Sequence, residues 1–142
     1  MSFASSSAGY KLDVPEGWAR QQTGSAVTFT DKFNTITVEV TAAATAPSVA
    51  TARSTMASLA SSLPCFKSGT ITQVTRNAGP VVLLTYEQSS PPNQVTGKTI
   101  TLDVERYEYW HAGKQATVTL SSSHGSDNVD PWRRVTDSFT WT

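Results

Sequence analysis

Apolar and polar residues alternate with period two where the chain first looks structured. In Tyr10-Lys11-Leu12-Asp13-Val14, Tyr10, Leu12 and Val14 share one face and Lys11 and Asp13 the other, which predicts a strand. Pro15-Glu16-Gly17 then makes a turn, and Trp18 is placed to fold back over the core as a plug. The runs from Ala26 to Thr30 and from Thr35 to Thr41 alternate cleanly. Val27, Phe29, Ile36, Val38 and Val40 point inward, threonines and Glu39 point out, and Asp31-Lys32-Phe33-Asn34 closes a hairpin.

From Ser48 to Leu63 the period changes to that of a helix. Val49, Ala52, Met56, Leu59, Ala60 and Leu63 fall on one stripe, with Pro47-Ser48 as the start signal and Pro64 as the stop. Phe66 to Asn77 reads as a strand whose alternation slips between Ile71 and Val74, as a bulge would cause. Val81 to Tyr86 is apolar on both faces, which marks a strand covered from both sides and implies three layers. Ser89 to Gly97, with Pro91-Pro92-Asn93, is a polar loop. Lys98 to His111 and Lys114 to Ser122 then form two long strands turned by Ala112-Gly113, with Ile100, Leu102 and Val104 on one face and Tyr107 and Tyr109 on the other.

The last segment, from His124 on, reads as a loop feeding a helix with Asp130 as N-cap and Pro131 at the first helical position. Trp132, Val135 and Phe139 make its apolar face, and Trp141 is expected to pack. Residues 1–8 are rich in serine and alanine and read as a disordered tether or a cloning scar. Residues 9–142 read as a single domain, with no internal repeat. An upstream signal or lipid anchor removed from this end is a further expectation.

Composition narrows the function classes. Lysine plus arginine and aspartate plus glutamate number 11 each, so no basic excess draws in nucleic acid. Charged residues make up 15% of the chain, below the usual quarter, and this weakly charged polar surface suits an exported protein. The single cysteine, Cys65, excludes an internal disulfide and a cysteine-based zinc cluster.

The candidate chemistry is sparse. His124-x-x-Asp127-x-x-Asp130 could gather one nitrogen and two carboxylates, but it lacks the pattern of a calcium loop, and capping of the helix start explains both aspartates better. Cys65 follows a helix C-terminus, where the dipole disfavours a thiolate, so a structural thiol is expected. Carboxylate pairs drawn from Glu87, Asp103 and Glu105 suit a solvated strand face paired with lysine and arginine across it. No serine stands in a nucleophile motif, and nothing in the chain calls for a metal or a cofactor. Tyr107, Tyr109, Trp110 and His111 could floor a pocket for a small apolar ligand or simply pack under a helix. Arg133 and Arg134 beside Trp132 could anchor an acidic partner or only solvate the helix.

The stretch Tyr10-Lys11-Leu12-Asp13-Val14-Pro15-Glu16-Gly17-Trp18 resembles the Tyr-x-Leu-x-Val-Pro-x-Gly-Trp opening of PsbP-like and Mog1-like domains. The mid-chain helix, the long strands after it, and a closing helix with Asp130-Pro131-Trp132-Arg133 and Ser138-Phe139-Thr140-Trp141 are similar to actinobacterial extracytoplasmic lipoproteins of that superfamily. The resemblance implies an α+β fold, an α/β/α sandwich around a central antiparallel sheet. It also implies a non-catalytic accessory or adaptor role with a protein partner at the cell envelope, reaching the membrane only through a removed anchor. The alternative is a carrier or sensor of a small apolar ligand held between sheet and helix. The partner patch is expected around Trp132 and Arg133 or at the Pro91-Pro92 loop.

Overall fold

Two antiparallel meanders join into one sheet. The first comprises β3 (Ala19–Thr23), β4 (Ala26–Asp31) and β5 (Asn34–Ala42); the second comprises β6 (Lys67–Arg76), β7 (Gly79–Ser89), β8 (Thr101–His111) and β9 (Lys114–Ser123). β5 pairs with β9, giving the order β3-β4-β5-β9-β8-β7-β6 in the computed structural model, which describes residues 2–5 and 7–142. Helix α1 (Val49–Ser62) carries the chain from β5 to the far edge at β6. A second sheet is formed by β1 (Ser2–Ser5), β2 (Tyr10–Asp13) and β10 (Thr140–Trp141), with β2 in the middle, and helix α2 (Val129–Ser138) leads into β10.

Each face of the large sheet has its own core. On one face Val27, Phe29, Ile36, Val38, Val81, Tyr107, Tyr109, Ala116, Val118 and Leu120 pack under α2 and the small sheet, which contribute Trp132, Val135, Phe139, Tyr10 and Leu12. On the other, Ala52 and Met56 of α1 cover Val82, Leu84, Tyr86, Leu102 and Val104. The result is the expected α+β sandwich, and β7 feeds both cores, as its two-sided apolar run predicts. The α1 layer is narrow, touching β6 and β7. Across β4, β5 and β9 that face instead presents half-buried threonines, among them Thr28, Thr37 and Thr119 in one cross-strand row.

Several local expectations need correction. Ser2–Ser5 lies within the stretch read as a tether, yet it pairs with β2, and Phe3 meets Phe29 edge-on at 5.2 Å; one aromatic among small residues anchors the strand. Met1 and Ser6, which the tether reading includes, lie outside the described residues. β3 goes unseen in the pattern because all its residues are exposed, so an edge strand here has no alternation to display. The slip in β6 falls between Ser68 and Ile71, earlier than expected. Helix α2 begins two residues ahead of prediction: Asn128 is the cap residue, and Asp130 and Pro131 lie inside the first turn. The proline is tolerated there because the first-turn amides have no intrahelical partner to lose. Helix α1 starts as predicted, with Ser48 and Thr51 exchanging side-chain and backbone bonds in a reciprocal cap. Among the described residues, no helix is long and apolar enough to cross a membrane.

Candidate functional site

The end of the large sheet where β7 finishes and β8 begins carries a cleft of about 290 Å³. Its floor is built by register. Glu87 of β7 stands directly opposite Asp103 of β8, and Glu105 lies two residues further along the same face. Like charges directly opposite on neighbouring strands repel, so this pairing costs stability unless a positive group sits nearby. Two do: Lys67, opposite Glu87 across the β6–β7 pair, and His124, in the loop between β9 and α2.

His124 is held from two directions. Its backbone amide donates to the Thr101 carbonyl at 2.9 Å, and its Nδ1 lies 2.7 Å from Asp103 Oδ1. The other oxygen, Asp103 Oδ2, accepts the Gly125 amide at 3.0 Å. Gly125 has φ +84, so the loop turns through a conformation that favours glycine and aims that amide back at the strand. The Asp103 hydrogen bond and then the Asp103 and Glu87 charges raise the His124 pKa. Burial works to raise the Asp103 pKa, but the His124 and Gly125 hydrogen bonds and the imidazolium charge outweigh it and hold it below its ordinary value. Among the described residues the Glu87 side chain has no hydrogen bond or ion pair, and its carboxylate, one oxygen of Asp103 and a His124 nitrogen lie within 4.8 Å of one another.

The residues singled out in the sequence scatter around the molecule. Tyr109 is wholly buried, stacked on Phe139 with centroids 4.3 Å apart, and its hydroxyl donates to the Thr136 carbonyl. Tyr107 is buried between Arg76, which donates to its hydroxyl, and Glu105, which accepts from it at 2.7 Å. Burial, reinforced by Glu105, pushes its pKa up to about 12. Trp110 points to the opposite face, with its indole N–H on the Ala43 carbonyl, and His111 is exposed beside Trp141. A ligand pocket floored jointly by Tyr107, Tyr109 and Trp110 is therefore not formed, because strand alternation sends the tryptophan through to the other side. Trp132 is buried against the core, while Arg133 and Arg134 are exposed and Arg133 pairs with Asp137 one turn on. Cys65 is exposed, with φ 52, and is no buried structural thiol: the residue that ends the α1 connection turns outward.

His124 turns to Asp103 and leaves Asp127, whose carboxylate accepts the Val129 amide at the start of α2. The Glu87–Asp103–His124 group was missed because strand register assembles it. Once β7 and β8 are aligned through their apolar positions, the facing acids can be found; the histidine, arriving from a loop, cannot.

No protein-family model and no curated protein sequence matches the chain. Solved structures do. Cyanobacterial PsbP (CyanoP) from Synechocystis is similar over 100% of this chain and 92% of its own, with TM-score 0.67 at 15% identity. A protein of unknown function from Pseudomonas aeruginosa is similar over 97% and 94%, with TM-score 0.62 at 16% identity. LpqN from Mycobacterium tuberculosis, described as involved in cell envelope biogenesis, is similar over 94% and 83%, with TM-score 0.51 at 16% identity. With the two-helix sandwich and its sheet order, these likenesses place the chain in the PsbP/Mog1-like fold.

Proposed function

We propose that the chain is a non-catalytic extracytoplasmic domain that binds a protein partner, and that it does so with the cleft end of its sheet. The observation that carries this reading is where the exposed apolar side chains lie. Among the described residues the exposed large hydrophobics are Phe33, Val95, Val129 and Trp110. Three of these sit at one end: Phe33 in the β4–β5 hairpin, Val95 in the loop between β7 and β8, and Val129 at the start of α2 beside the cleft. Exposed apolar side chains gathered at one end of a molecule, with polar groups among them, mark a contact surface. The partner patch thus moves from Trp132, which the core occupies, to the rim around it, and it keeps the Pro91-Pro92 loop.

The likeness to LpqN supports a place outside the cytoplasm, as does the low share of charged residues. A non-catalytic role is supported by the histidines: among the described residues neither hydrogen-bonds a serine, threonine or cysteine side chain, so no base is paired with a nucleophile. The test is capture from envelope extracts with the wild-type chain and with Phe33→Ser, Val95→Ser and Val129→Ser combined. The wild type should retain a defined protein at least ~10-fold better than the triple variant, since contact hot spots each contribute more than about 1 kcal/mol. Equal capture by both, with the variant's fold intact by circular dichroism, would refute this surface.

A further inference from the structure

We propose that the cleft is a divalent-metal site in which Glu87, Asp103 and His124 are the protein ligands and the ion is of the zinc or manganese class. The proposal stands on the geometry of the cleft and does not depend on partner docking.

The three side chains come from three separate places, β7, β8 and the β9–α2 loop, and converge with one ligand atom each inside 4.8 Å. Bonds of 2.0–2.1 Å from a tetrahedral ion set its ligand atoms about 3.3 Å apart. His124 Nδ1 and Asp103 Oδ1, at 2.7 Å, are already closer than this, so the pair opens slightly as an ion takes the place of the proton between them. Glu87 supplies the remaining movement. It is half-buried, its side chain has no hydrogen bond or ion pair among the described residues, and its backbone is held in a strand, so only its side-chain torsions need change.

The surroundings already orient the ligands. Asp103 is fixed through Oδ2 by the Gly125 amide, which leaves Oδ1 directed at the site, and His124 is fixed through its backbone by Thr101. The Gly125 bond is an outer hydrogen bond of the kind that holds a ligating carboxylate in place. His124 must give up its proton to bind through Nδ1, and a doubly charged ion then takes over the imidazolium's part in offsetting the facing carboxylates. An imidazole nitrogen beside two carboxylate oxygens favours zinc or manganese over calcium or magnesium, which prefer oxygen alone. Three protein ligands in an open cleft leave at least one coordination position for water or a group brought by another molecule.

The test is calorimetric titration of the full chain with zinc chloride and with manganese chloride, read beside the heteronuclear spectrum. One equivalent should bind saturably. His124→Ala, Asp103→Asn and Glu87→Gln should each weaken binding at least ~10-fold, while His111→Ala and Asp127→Asn leave it unchanged. Substoichiometric manganese should broaden the Glu87, Asp103 and Gly125 signals first. Absence of saturable binding, an affinity untouched by His124→Ala in a folded variant, or loss on His111→Ala or Asp127→Asn would each overturn the assignment.

Discussion

Asp103 and His124 are 21 residues apart, and the bond between them sets the pH behaviour of the cleft. His124 has a folded pKa above its ordinary 6.5, through the Asp103 hydrogen bond first and the Asp103 and Glu87 charges after it. A group that binds its proton more tightly when folded stabilises fully below its unfolded pKa, and that contribution is lost as pH rises through the folded value. Asp103 has the opposite sign. Its folded pKa is below 3.8, so its contribution is present above that value and is lost as pH falls through the folded pKa. Between about pH 4 and 6.5 both partners are predominantly charged, because that window lies above the folded pKa of Asp103 and below that of His124. In the metal-free protein, Asp103→Asn should therefore move the His124 titration midpoint, followed by its ring proton shifts, to lower pH. A midpoint that stays where it was would show that the pair does not form in solution. At this scale the sequence is least legible: Tyr107 and Tyr109 look like pocket walls in a string and are core residues in space, while Glu87 looks like an ordinary surface acid and faces another.

Among the elements, those with a period were readable and those without one were not. Helix α1, β4, β5 and the β8–β9 hairpin follow from apolar spacing and turn residues. β3 has no buried residue to announce it, and β1 depends on Phe3 reaching a core that only the whole fold creates. β6 is the informative case. Its irregularity is visible, but the position is set by Gly69, where an added Cβ would lie 2.5 Å from the Thr85 carbonyl oxygen and 2.5 Å from its hydroxyl. No local pattern reports the approach of a strand 15 residues on. Gly69→Ala must push the β6 backbone away from β7, and a loss of roughly 1–3 kcal/mol is expected, as for other overpacked sites. Urea unfolding monitored by tryptophan fluorescence would measure it, and a midpoint equal to wild type would mean that β6 is free to shift.

The whole molecule is organised around Phe139, where α2 passes into β10. Its ring is wholly buried, stacked on Tyr109 at 4.3 Å and on Tyr10 at 5.5 Å, and met edge-on by Trp141 at 5.2 Å. One side chain thus ties the large sheet, the small sheet and the closing helix together. Phe139→Ala should cost about 3–5 kcal/mol, the range for deleting a buried aromatic, and should lower the thermal midpoint in differential scanning calorimetry in a single transition. A separate early transition would instead show that the small sheet melts independently. The sandwich itself was legible at this scale, because alternating runs broken by one mid-chain and one terminal helix leave few other arrangements. The narrowness of the α1 layer was not, since threonines that face solvent and threonines that face a helix read alike in a string.

The closing strand also fixes which way the molecule can be displayed. Thr142 donates its amide to the Gly9 carbonyl, and Trp141 lies beside His111 and Lys114, at the tip of the β8–β9 hairpin. That tip is the opposite pole of the large sheet from Asp103 and His124. A bead or sensor surface coupled just past Thr142 would hold every copy in one orientation, with the carboxylates and their apolar rim turned toward the solution.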